Sequence, residues 1–163
     1  MECEDFEKIQ KALDLFPTEC LSCVLATTGS DGEVLSSYAP FIKTNEGFIL
    51  FLSRTAPHYQ NLIDHPQSSL MLIQDEQKAI TIYFRKRVTY KVRAKMISTT
   101  KEILSLFKGR HGPMTDVLAK MDFSFFLLVP SSGMITLGQS QFYEFDANQK
   151  IIGFYGMKHG PQR

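Results

Sequence analysis

The sequence predicts a mainly β protein with short helices, its strands closing or nearly closing into a barrel. Three observations carry this. Seven or eight runs are rich in Val, Ile, Thr, Phe and Tyr and are spaced at strand length. Short loops full of Gly, Asn and Asp join them, as antiparallel neighbours require. Only four short stretches read as helical, and a doubly wound parallel sheet would need a helix between successive strands.

Taken in order, Phe6, Ile9, Leu13 and Phe16 recur at helical spacing behind Asp5 as N-cap, which predicts an amphipathic helix over 6–16. The period then changes to that of a strand over 21–27, closed by Thr28-Gly29-Ser30-Asp31-Gly32. Strands follow at 34–43 and 48–52, separated by the turn Thr44-Asn45-Glu46-Gly47. Pro57 opens a short helix that His65-Pro66 ends. A strand over 69–74 leads through Asp75-Glu76-Gln77-Lys78 to a long β-branched and aromatic run, 80–97, that is too long to stay straight. Thr99-x-x-Glu102 has capping-box spacing and begins a helix to about Phe107, and a last helical piece spans 115–120. Strands at 123–129, 134–137 and 141–145 complete the sheet, with 151–155 as an extension before a tail from about 156. Neither a repeat nor a composition shift divides the 163 residues, so one domain is expected.

The bulk numbers exclude several function classes. A net charge of +1, from 18 Lys and Arg against 17 Asp and Glu, argues against general nucleic-acid binding. No apolar run reaches membrane-spanning length, and Glu2, Glu4 and Asp5 stand where a signal peptide would be basic, so a cytoplasmic protein is expected. A G-x-G-x-x-G after a strand, a P-loop, a G-x-S-x-G and an H-E-x-x-H are all absent. Three cysteines make no disulfide framework. Cys20 and Cys23 form a C-x-x-C, but at the start of a strand two residues three apart face opposite sides of the sheet, so neither a redox dithiol nor a zinc site is expected.

What remains to carry chemistry is Arg85-Lys86-Arg87, three adjacent cations that repel one another unless an anion or a groove edge uses them. In a strand Arg85 and Arg87 would share a face, and their guanidinium forks suit carboxylates or phosphates; the alternative is a solvated edge that discourages strand addition.

Several segments in order resemble the HugZ-type haem-utilisation family of the FMN-binding split-barrel superfamily, which includes pyridoxamine phosphate oxidase. They are Leu25-Ala26-Thr27 with Gly32, Ser37-Tyr38-Ala39-Pro40-Phe41, Ser53 with His58 and Asn61-Leu62, and Leu70-Met71-Leu72-Ile73 with Asp75-Glu76 and Ala79. Phe84-Arg85-Lys86-Arg87, Asp122-Phe123, and Gly138 with Gln141 and Tyr143 complete the set. The resemblance implies a homodimeric split β-barrel that binds haem at the dimer interface and degrades it with electrons from an external donor, releasing iron. Flavin-binding relatives hold FMN in a comparable groove, which gives an FMN oxidoreductase as the alternative, and a non-catalytic haem or flavin carrier as another.

Residue by residue, the resemblance implies that His159, in Gly156-Met157-Lys158-His159-Gly160, is the ligand of the haem iron; otherwise it is a solvated tail histidine. Asp122 matches an acidic residue that supports this histidine across the interface, a role a boundary Asp need not have. Arg85, Lys86 and Arg87 match a basic triplet that would meet haem propionates or an FMN phosphate. Arg54 and His58 precede and open the short helix where flavin relatives hold the phosphate, although exposed Arg and His are common. Met121, Met134 and Met157 could line a haem pocket or simply fill gaps. Two departures stand out. Phe126-Leu127-Leu128 replaces the family's Phe-Arg-Leu, and Gly138-Gln139-Ser140-Gln141 replaces Gly-x-Gly-Gln.

Overall fold

A computed structural model describes residues 3–155. Eight strands form one antiparallel sheet: β1 (Ser22–Thr28), β2 (Val34–Lys43), β3 (Phe48–Ser53), β4 (Gln67–Ile73), β5 (Arg87–Ile97), β6 (Phe123–Gly138), β7 (Gln141–Phe145) and β8 (Ile151–Phe154). The helices are α1 (Cys3–Leu15), α2 (Pro57–Asp64), α3 (Lys101–His111) and α4 (Met114–Leu118), with short 3-10 turns at Phe16–Glu19, Glu76–Lys78 and Ile82–Phe84. The predicted fold class is what forms.

β6 decides the topology. Its first half bonds β3 on one edge, from Phe48↔Leu128 to Ser53↔Phe123, and β5 on the other, from Val92↔Pro130 to Ile97↔Phe125. This closes a six-strand barrel in the order β1-β2-β3-β6-β5-β4. Its second half leaves the barrel beside Arg87–Lys91 of β5 and takes β7 as its other neighbour, with β8 outermost. The sequence reads as two strands broken at Pro130, yet 123–138 is one strand of 16 residues. Lys91 pairs with Ser132 and Val92 with Pro130, so Ser131 is an extra residue that bulges out and redirects the strand. Pro130 is tolerated because a bulge relaxes the demand for a ladder N–H.

The barrel is filled by side chains at alternate positions, among them Leu25, Phe41, Phe48, Leu70, Val88, Tyr90 and Phe126, all fully buried. Ile9, Leu13 and Phe16 of α1 and its following turn join this core. β3 is apolar on both faces because Phe48, Leu50 and Leu52 face the barrel while Ile49 and Phe51 enter a second cluster with Phe107 of α3, Phe125 and Leu127. Leu127, where the family pattern has arginine, is 4% exposed in that cluster. At this position the chain therefore supplies packing beneath α3.

Other boundaries differ from expectation for local reasons. α1 begins at Cys3, so Asp5 lies inside the helix and is not its N-cap. Thr100, not Thr99, caps α3 by accepting from the Ile103 N–H at 3.2 Å, and α3 runs on to His111, beyond Phe107. The run 80–97 becomes a strand only at Arg87; before it, Ile82–Phe84 is a 3-10 turn whose start is capped by the Thr81 hydroxyl. Ser140 takes φ +56° in the β6–β7 turn, a left-handed position that the family's glycine would occupy without a Cβ penalty. Among the described residues no helix is long and apolar enough to cross a membrane.

Candidate functional site

The predicted site residues fall into two groups at opposite ends of β6. The first surrounds α2 and the start of β6. The Arg54 N–H donates to the Asp122 carbonyl at 2.9 Å, tying the β3–α2 loop to the residue before β6. Its guanidinium Nε donates to Ser124 Oγ at 3.1 Å and lies 3.3 Å from Asp122 Oδ1. Both charged side chains are more than half exposed, at 55% and 64%. Ser124 is buried and also accepts from the Tyr59 hydroxyl at 3.5 Å, whose ring packs edge-on against Phe126.

His58 sits in the first turn of α2 with Nδ1 2.9 Å from Ser37 Oγ of β2. One turn on, Asn61 Nδ2 donates to Thr27 Oγ1 of β1 at 3.0 Å. These two contacts hold α2 against the barrel wall. Burial pushes the His58 imidazole below its ordinary pKa, so the ring favours its neutral form.

The second group lies on the outer face of the sheet where β6, β7 and β8 extend beyond the barrel. Buried Val88, Tyr90 and Val92 turn inward, so Arg87, Thr89 and Lys91 turn outward. Cross-strand register sets Arg87 beside Thr136, Thr89 beside Met134 and Lys91 beside Ser132; Met134 then faces Glu144, and Thr136 faces Phe142. These side chains and Ile152 line a groove of about 440 Å³. It carries cations at two points about 13 Å apart along β5, the Glu144 carboxylate on the far strand between them, and an apolar wall of Met134, Phe142 and Ile152. Such a groove matches an amphipathic ligand with a flat apolar body and an anionic edge.

The basic triplet does not act as a unit. Arg85 directs Nε and Nη2 to the Gln74 carbonyl, at 2.9 and 2.5 Å, and Nη1 to Glu76 at 2.9 Å. It pins the segment between β4 and β5, and because that segment is no strand, Arg85 and Arg87 do not form a common strand face. Lys86 is exposed, and Arg87 alone of the three lines the groove. Lys91 was missed by sequence reasoning; the period-2 set Arg87-x-Thr89-x-Lys91 would have revealed it once Val88 and Tyr90 were assigned inward.

Cys20 and Cys23 are both buried free thiols. Cys23 faces the barrel core and burial pushes its thiol up to about 12; burial raises Cys20 as well. Neither has the thiolate character that redox or metal chemistry needs. Among the described residues no three His, Cys, Asp or Glu side chains gather as a metal site. His159 and Met157 lie outside the described residues, and Met121 is exposed rather than in a pocket.

Residues 9–123 match the family model described as pyridoxamine 5'-phosphate oxidase. The chain is 30% identical to the haem oxygenase HutZ of Vibrio cholerae over 161 residues, covering 96% of this chain and 91% of that protein. The chain belongs to this oxidase-like family, on its HutZ-related branch. The split barrel of Campylobacter jejuni ChuZ superposes with a TM-score of 0.85 at 30% identity, over 96% of this chain and 67% of that one. A crystal structure of Vibrio cholerae HutZ, there called a haem storage protein, gives 0.71 at 32% identity over 78% and 93%. The resemblance read from the short motifs between Leu25 and Tyr143 is thus borne out across the chain.

Proposed function

We propose that the protein binds haem in a site completed by a second copy of the chain and opens the porphyrin oxidatively to release iron. The observation that carries this is the groove bearing Arg87 and Lys91 beside an apolar wall, in a chain whose relative across 96% of its length is named a haem oxygenase. The groove supplies donors that suit haem: Arg87 and Lys91 for the propionates, and Met134, Phe142 and Ile152 against the ring.

Haem is both ligand and substrate here, and the oxidative chemistry is its own once an external donor supplies electrons. The chain's residues bind and orient it. Arg87 and Lys91 hold the carboxylates, and the apolar wall excludes water. By family resemblance His159 is the iron ligand, with the Asp122 carboxylate accepting its second ring N–H to hold the tautomer.

The separation of the two groups supports a homodimer. Ser124 and Met134 are ten residues apart on one strand, about 30 Å along its length, farther than one porphyrin reaches. A site that pairs Asp122 of one protomer with the groove of the other accommodates this separation. Exposed Tyr38, Ile80, Ile82, Tyr83 and Phe84 offer apolar surface for such an interface.

The family model favours a second reading, an FMN oxidoreductase, because the same two cations suit a phosphate. Parallel titration of the purified protein with haem and FMN separates them. A saturable Soret band, lost on adding reductant and oxygen while a ferrous chelator captures iron, is expected. A flavin envelope without a Soret band would establish the FMN reading instead. A Soret band that survives reductant would make the protein a carrier, in keeping with the storage role in the name of one HutZ structure. Sedimentation equilibrium at micromolar concentration should give a dimer, and a haem-loaded monomer would rule out the shared site.

A further inference from the structure

We propose that Glu144 is a specificity residue of the β5–β8 groove: it accepts from the N–H groups of an iron-free, open-chain tetrapyrrole, so the groove discriminates in favour of the ring-opened product of haem. This rests on the haem reading given above. Three observations assign the role. Glu144 stands opposite Met134, which stands opposite Thr89, so it lies two strands, about 10 Å, across the groove from the midpoint of the Arg87–Lys91 line. It is half-buried, and among the described residues it forms no ion pair. Its neighbour on β8 is Gly153, where a Cβ would meet nothing within 4 Å, so no side chain covers the carboxylate from that strand.

An ionised carboxylate only accepts hydrogen bonds. Haem gives it nothing to accept from: the propionates are anionic, the four ring nitrogens are bound to iron, and the rest of the rim is hydrocarbon. With haem on Arg87 and Lys91, Glu144 meets an apolar face and loses hydration without a partner, which is unfavourable. Once the ring is open and the iron gone, most of the freed nitrogens take up protons from solvent and become N–H donors. The same two cations hold the same propionates in both ligands, so Glu144 is what tells them apart. The product then competes with the next haem for the groove.

The test uses the full-length protein and two probes, ferric haem and biliverdin, an open-chain iron-free tetrapyrrole, each titrated by absorption. Biliverdin should displace haem from the parent. Glu144→Gln keeps the shape and replaces a charge-assisted bond by a neutral one, so it should lower the affinity for biliverdin relative to haem about fivefold. Glu144→Leu, with no acceptor, should lower that ratio further. A purely structural loss would weaken both ligands alike and leave the ratio unmoved. A change of less than fivefold in Glu144→Leu, or biliverdin that does not displace haem from the parent, overturns the proposal. The double variant Arg87→Ala with Lys91→Ala checks the reading beneath it. If that variant loses affinity for haem while the Glu144 ratio is unmoved, the proposal fails and the groove remains the haem site. If it binds haem as the parent does, the groove is not the haem site, and the proposal falls with that reading.

Discussion

Gln10 and Ile151 are joined across almost the whole chain: the Gln10 side-chain carbonyl accepts from the Ile151 N–H at 3.0 Å, and its amide donates to the Gln149 carbonyl at 2.9 Å. One side chain of α1 thus holds the end of the β7–β8 turn and the first residue of β8, the last described strand before the tail that carries His159. Replacing Gln10 with Ala should cost about 1–2 kcal/mol, the sum of two partly buried hydrogen bonds. Amide exchange at Ile151 should accelerate more than exchange in β1. Equal protection in both proteins would mean that β8 holds its own position.

The Tyr90 hydroxyl points into the barrel core with no hydrogen-bond partner among the described residues, and burial pushes its pKa well above the ordinary phenol value. Its ring meets Phe48 edge-on at 4.7 Å and Phe145 at 5.2 Å, contacts that phenylalanine would keep. An unsatisfied buried hydroxyl costs about 1–3 kcal/mol, so Tyr90→Phe should be neutral or stabilise the protein by roughly 1 kcal/mol. Urea melts decide the point; clear destabilisation would reveal a partner for the hydroxyl.

Strand periodicity made most of the barrel legible, because inward residues such as Leu25, Leu70 and Val88 alternate with outward polar ones. It failed where tertiary context overrode it. Ile80 to Phe84 has strand composition, but no strand among the described residues pairs with it; Arg85 instead draws the chain back onto Gln74 and Glu76. Pro130 reads as a break, yet a bulge at Ser131 absorbs it. The site was legible in part for the same reason. Motif resemblance singled out Asp122, Arg54 and His58, but not that Arg54 sits on Asp122 or that Ser37 meets His58, since loop contacts between distant segments leave no periodic trace. Lys91 did have a trace, its two-residue spacing from Thr89, but outward alternation alone does not distinguish a groove residue from a solvated one.

Below the ordinary histidine pKa, His58 should make the protein less stable. Burial lowers its pKa in the folded state, so between the ordinary value near 6.5 and the lower folded value the unfolded chain binds a proton that the folded one does not. Stability from this group is complete above about pH 6.5 and declines as pH falls through that window. His58→Gln should flatten the decline measured by urea unfolding between pH 5 and 8. An imidazole that NMR shows titrating at or above the ordinary value would contradict the assignment of burial as the cause.

Arg85 and Arg87, neighbours in sequence, should respond differently to truncation. Arg87 lines the groove, with Nη1 donating to the Arg85 carbonyl at 3.2 Å and the rest of its guanidinium available to a ligand. Loss of a charge-assisted contact costs about 1–3 kcal/mol, so Arg87→Ala should weaken haem binding by roughly ten- to a hundredfold. Lys91→Ala should weaken it less, since an exposed ammonium makes no bidentate contact. Arg85→Ala removes the three contacts to Gln74 and Glu76 instead, so its main effect should be faster proteolysis within 79–86, with a smaller change in affinity. Calorimetric titration of the three variants with haem and with FMN, beside limited chymotrypsin digestion at exposed Tyr83 and Phe84, separates these effects. Equal losses of affinity for Arg85→Ala and Arg87→Ala would show that Arg85 leaves Glu76 to meet the ligand. No loss in Arg87→Ala and Lys91→Ala for either ligand would place the binding site away from the β5–β8 face.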